Sequence, residues 1–204
     1  MILAKMNGLN SRLARTKSIG LYQKAHNLWP KIAFFCWLLL RRRILTWDNL
    51  LKRGMTGPSR CVLCSSASET MNHLLNECYF ASELWAKGEQ RFRQGARVKG
   101  NPSETIASWP PKVFKNAILN RLWELFPGFL VWEIWKERNG RIFDEKGRPP
   151  EKLWLNIEIH LRETLGLTRW TGEDFKASIQ ERLILNEWGV TTIPAYQGGN
   201  RDIP

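Results

Sequence analysis

The chain has 204 residues, 43% hydrophobic and 25% charged, a balance that excludes global disorder and supplies enough apolar surface, eleven tryptophans included, for a sizeable core. The 31 Lys+Arg against 19 Asp+Glu leave a net charge of +12. All of that excess lies in residues 1–100, with 17 basic and 5 acidic side chains, while residues 101–204 balance at 14 and 14, an asymmetry expected of a part that meets a polyanion. The longest apolar run, Ile32 to Leu40, is nine residues where a spanning helix needs about 20, which argues against a membrane protein.

Residues 1–23 show no sustained period and read as a basic flexible arm. With Arg12, Arg15 and Lys17 and no acid before Asp48, this arm faintly resembles an organellar transit peptide, although the basic arm is the preferred reading. It lacks the apolar stretch of a secretory signal, so a reducing intracellular setting, nucleus or cytoplasm, is expected, and the four cysteines are read as thiols or metal ligands. The pattern predicts a helix from Pro30 through Phe34, Phe35, Trp37 and Leu38, with Arg41, Arg42 and Arg43 in its last turn against the negative end of the dipole. Cys36 sits on its apolar part as a core residue. Thr46 is placed as the N-cap of a second short helix, 47–53, that Gly54 ends in a left-handed conformation.

Cys61, Cys64, His73 and Cys78 then spell C-x2-C-x8-H-x4-C. Three thiolates and one imidazole complete the tetrahedron zinc prefers and leave no position for water or substrate, so the ion is structural. Ser66 and Glu69 are expected to form a capping box that opens the helix bearing His73. On an unbroken helix His73 and Cys78 would point roughly 140° apart, so that helix must end near Asn76 or Glu77 for Cys78 to swing back. His26 and His160 have no neighbouring partners and take no metal role.

A helix over 81–94 carries Leu84 and Trp85 inward, and 95–103, with two glycines and Pro102, is the candidate linker. Further helical patterns fill 104–190. Phe114, Ile118, Leu122 and Phe126 form one stripe that Pro127-Gly128 should break, and 129–138 resumes it. Pro149-Pro150 opens a helix with Trp154, Ile157, Leu161 and Leu165 on one face, stopped by Gly166. Thr171 with Asp174 opens the last, carrying Phe175, Ile179 and Leu183. The tail, 191–204, reads as disordered. The fold expected is mainly α, a small zinc-stabilised knuckle or hairpin between helices in 24–94 followed by a helical C-terminal half.

Residues 30–85 (PKIAFFCWLLLRRRILTWDNLLKRGMTGPSRCVLCSSASETMNHLLNECYFASELW) resemble the zinc-binding domain of plant reverse transcriptases. That domain lies near the C-terminal end of LINE-type (non-LTR) retrotransposon polyproteins. The match rests on Pro30-Lys31, Leu45-Thr46-Trp47-Asp48-Asn49-Leu50, Arg53-Gly54, the four ligands, Glu69-Thr70, His73-Leu74 and Trp85. A second patch, IWKERNGRIF at 134–143, resembles the stretch that follows this domain before ribonuclease H. The resemblance implies a zinc cofactor and nucleic-acid binding in support of reverse transcription, in a truncated or co-opted fragment. It does not bring an enzyme with it. No Asp-Asp of a polymerase motif occurs, and Glu133, Glu137, Glu145, Glu158 and Glu163 sit among basic residues as solvated surface would have them.

Arg41, Arg42, Arg43, Lys52, Arg53 and Arg60 are the candidate phosphate contacts, and Tyr79 a candidate stacking residue, while Phe80, Trp37 and Trp47 suit burial better. No small-molecule substrate and no membrane enter this reading. The alternatives are a protein-interaction module using 104–190, which exposed Trp123, Trp132 and Trp135 would favour, or a retroelement remnant without a selected activity.

Overall fold

A computed structural model describes residues 29–95, 97, 100–110 and 112–190. The basic arm at 1–23, His26 and the tail at 191–204 lie outside the described residues. Within them the chain is helical: α1 (Pro30–Leu40), α2 (Trp47–Leu51), a π-helical turn (His73–Glu77), α3 (Tyr79–Phe92), α4 (Pro102–Ser108), α5 (Ala117–Phe143), α6 (Pro150–Gly166), a 3₁₀ turn (Gly172–Phe175) and α7 (Ile179–Glu187). No strand occurs among the described residues, only an isolated antiparallel bridge between Arg60 and Ser68.

The axis of the molecule is α5, 27 residues and so roughly 40 Å long. It packs along α6 and against α1 and α3. One hydrophobic cluster runs from Ile32 on α1 to Trp188 after α7, so the 95–103 segment joins parts that share a core. That segment itself supplies Asn101, whose side chain caps α4 by accepting from Glu104 N at 3.1 Å, and Ser103, whose hydroxyl donates to Leu39 O of α1. Aromatic rings dominate the centre. Phe92 lies 4.9 Å from Trp188 and 5.1 Å from Trp123, edge-on to the latter, and Trp109 is 4.4 Å from Trp123. Such offset and edge-on pairs add about 0.5–1.5 kcal/mol each beyond the area they bury. Gly88 lets α3 approach α5 closely, since a Cβ there would fall 1.9 Å from the Phe126 ring.

Pro127 does not break α5, which runs through it to Phe143. A proline in a helix leaves the carbonyl four residues earlier without its donor. Here that carbonyl is Trp123 O, and the Trp109 indole N–H donates to it at 2.9 Å. A side chain from before the helix thus fills the missing rung.

Several other expectations are corrected. α1 ends at Leu40, so Arg41, Arg42 and Arg43 form the turn beyond it, with Arg42 at φ +54. Arg41 instead lies over the Trp37 ring at 5.1 Å. Thr171 and Asp174 do form a capping box, but it opens only the 3₁₀ turn. α7 starts afresh behind Ser178, whose box with Glu181 is closed by Ser178 N donating to Glu181 Oε2, while Oε1 accepts from the backbone of Lys115 and Asn116. Ile179 and Leu183 consequently face solvent, and Ile184, Leu185 and Trp188 are buried. Glu133, Glu137 and Glu158 are buried rather than solvated. Each is matched by cations at ion-pair distance: Lys136 to Glu133, Arg141 and Arg148 to Glu137, Arg91 and Arg162 to Glu158. Trp123 is in the core and Trp132 and Trp135 pack on Phe35, so the exposed tryptophan patch does not exist.

Candidate metal centre

The knuckle begins where the chain folds back on itself at the Arg60–Ser68 bridge, with Cys61 N donating to Ala67 O at 2.8 Å and Glu69 N to Ser59 O. Inside this loop Ser65 N donates to Cys61 O, a tight turn with Ser65 at φ +55 that brings Cys64 back beside Cys61. Ser66 does not cap a helix. Its hydroxyl donates to Cys64 Sγ at 3.2 Å, and Glu69 turns inward. The helix starts after Thr70, whose hydroxyl accepts from His73 N at 3.0 Å.

From His73 to Glu77 the helix widens to π geometry, and Cys78 N donates to His73 O at 2.7 Å. That i→i−5 bond sets Cys78 above His73, and Cys78 then turns to extended backbone. The ring and thiol therefore converge as the spacing requires. The ligand atoms of Cys61, Cys64, His73 and Cys78 all lie within 4.8 Å of one another, with Cys64 Sγ 3.2 Å from His73 Nε2. Sulfurs about 2.3 Å from one zinc stand roughly 3.8 Å apart, so little adjustment is needed. None of these cysteines is in a disulfide.

The thiols are chemically ready for a cation. A hydrogen bond shared with Cys78 lowers Cys61 to about 6 and raises Cys78, so the pair retains one proton near neutral pH that a metal would displace. Burial opposes ionisation of Cys64, but hydrogen bonds from Ser66 and His73 outweigh it and lower its pKa. Cys36 behaves oppositely: burial alone pushes it up to about 12, as suits an inert core thiol.

The sequence reading missed what holds the knuckle in place. Glu69 and Arg138 form a buried bidentate pair, Arg138 Nη2 to Glu69 Oε1 at 2.7 Å and Nε to Oε2 at 3.1 Å. Glu69 Oε1 also accepts from Trp47 N at 3.0 Å, which caps α2, while the Thr46 hydroxyl is turned to Asp48. Arg141, itself oriented by Glu137, donates to Val62 O and Leu63 O between the first two cysteines, and its guanidinium lies over Phe80. Arg141 stands at helical spacing from Glu137 and Arg138 lies beside it, so the local pattern disguises the partners that the two arginines find nearly seventy residues or more upstream.

The candidate nucleic-acid residues Arg41, Arg42, Arg43, Lys52, Arg53, Arg60 and Tyr79 are all exposed. Asn49 of α2 donates to Arg42 O and Ile44 O, which pins the arginine turn against the helix leading to Lys52 and Arg53. Lys52 is 3.9 Å from Asp48. Tyr79 points outward while Phe80 is buried, and Trp37 and Trp47 are half-buried.

Comparison with known proteins agrees with this geometry. Residues 10–85 match the family described as zinc-binding in reverse transcriptase. A protein of Arabidopsis thaliana, provisionally named a ribonuclease H protein, is 23% identical over 117 residues, covering 56% of this chain and 18% of the relative. The chain thus spans under a fifth of that relative's length. No solved structure matches. With the quartet compatible with a structural zinc ion, residues 10–85 are similar to the zinc-binding segment found in reverse transcriptases.

Proposed function

We propose that this chain is a nucleic-acid-binding module of a LINE-type retrotransposon reverse transcriptase of plant type, without a catalytic centre of its own. Cys61, Cys64, His73 and Cys78 would hold the zinc, which supplies rigidity and not chemistry. The observation that carries the reading is the cationic shoulder beside the knuckle. Arg41, Arg42, Arg43, Lys52, Arg53 and Arg60 are exposed, and Asp48 is the one acid paired to any of them among the described residues. Exposed guanidinium groups held on short turns suit phosphate contact without choice of sequence. A non-catalytic role is supported by the second-half carboxylates: Glu133, Glu137 and Glu158 are each turned to lysine or arginine and do not converge as a magnesium site requires.

The test is a triple Arg41→Gln, Arg42→Gln, Arg43→Gln variant, titrated with RNA and DNA at several salt concentrations. Log affinity should fall linearly with log salt, and the variant's slope should be shallower by about 0.7–0.9 for each phosphate it no longer neutralises. Equal slopes for variant and parent would refute the assignment.

A further inference from the structure

Beside the knuckle lie two adjoining clefts that share Pro58 and Arg60. One, about 360 Å³, is apolar and half-enclosed, with Trp47, Met55, Val62 and Phe143 among its walls and the Glu69–Arg138 pair at its base. The other, about 400 Å³, is a groove lined by the hydroxyl-bearing Ser59, Ser66 and Ser68. Arg60 stands between them, exposed and outside every ion pair among the described residues. The Trp47 indole N–H is buried without an acceptor. Phe143 is 73% exposed and Met55 49%, an apolar rim with no intramolecular use.

We infer that the two clefts together seat one unpaired nucleotide of a single strand, its base in the apolar pocket against Phe143 and Trp47, its phosphate in the serine groove on Arg60. This deepens the nucleic-acid reading above and rests on it. The first volume equals that of about a dozen waters at ~30 Å³ each, room for a planar heterocycle and too little for a base pair with its backbone. Flat apolar rings accept any base face, so the pocket makes no demand on which base enters. Charge decides the orientation. Asp144 and Glu145 follow Phe143, which lines the apolar pocket alone, whereas the groove has the Arg60 guanidinium and the hydroxyls of Ser59 and Ser68, that of Ser66 being turned to Cys64, so the anion belongs on the Arg60 side. Duplex bases are stacked away from such a pocket, so it selects single strands while the arginine turn serves both forms.

The experiment is fluorescence anisotropy with the zinc-loaded full chain, using a labelled single-stranded oligonucleotide, the same strand with abasic positions, and a duplex. Phe143→Ala should weaken single-strand binding about tenfold, within the 1–3 kcal/mol that one stacked base is worth, and leave duplex and abasic strands within about twofold. Met55→Ala, also at the rim, should act in the same direction, and unchanged metal content in both variants shows the knuckle intact. If Phe143→Ala binds the single strand like the parent while the arginine-turn variant loses both forms, the pocket is overturned and the function stands. A parent chain that binds no nucleic acid overturns both. Loss of self-association in Phe143→Ala with unchanged oligonucleotide affinity overturns the pocket in favour of a protein interface.

Discussion

The knuckle and the helical core are built on different physics. Between α2 and α3 the chain buries few large apolar side chains; it is shaped by a ligand quartet, a buried ion pair and arginine bonds to loop carbonyls. Around α5 the order is reversed, with Phe92, Trp123, Phe126, Phe129 and Trp188 fully buried and hydrogen bonds mainly completing the packing. A segment that cannot bury enough surface must be fixed by directional bonds, which add modestly when complete but cost much when one partner is removed. An aromatic core spreads its stabilisation over many weak attractions and tolerates the removal of any one better.

The sharpest way to break this contrast is to remove the metal. Chelation, or Cys61→Ser, should withdraw on the order of 10 kcal/mol from the knuckle. Hydrogen exchange should then accelerate across 59–78 while amides of α5 and α6 stay protected; uniform loss of protection would mean the two regions are one cooperative unit. Next in size, Arg138→Ala should leave Glu69 buried and uncompensated at a cost of about 3–5 kcal/mol, read by denaturant unfolding of the zinc-loaded chain. The smallest effect tests the core. Trp109→Phe keeps an aromatic ring but deprives Trp123 O of its donor, and should cost about 1–3 kcal/mol with no change in zinc content. A larger loss would show that the core, too, hangs on single bonds.

What can be read from the chain follows the same division. The ligand quartet is legible because zinc fixes residue types and spacing within eighteen positions, and even the need for the helix to end before Cys78 follows from geometry. Helices with strong stripes, such as α6, are legible as well. Pro127 misleads because its rescue comes from Trp109, eighteen residues away, and no local rule anticipates that. Glu133, Glu137 and Glu158 look solvated because an acid near a base at helical spacing reads alike whether the face is wet or buried. Ser66-x-x-Glu69 carries a capping signature, yet the metal loop claims one residue and Arg138 the other.

Arg141 has a consequence for where this kind of unit should be cut. The family match stops at residue 85, but the two peptide oxygens framing the metal loop are gripped from a helix turn more than fifty positions later. Excising the matched stretch by itself would leave those oxygens to water and Glu69 without its counter-ion. The boundary drawn by ancestry and the boundary drawn by cooperative folding are different lines, and only the second predicts which pieces will hold their metal in a test tube.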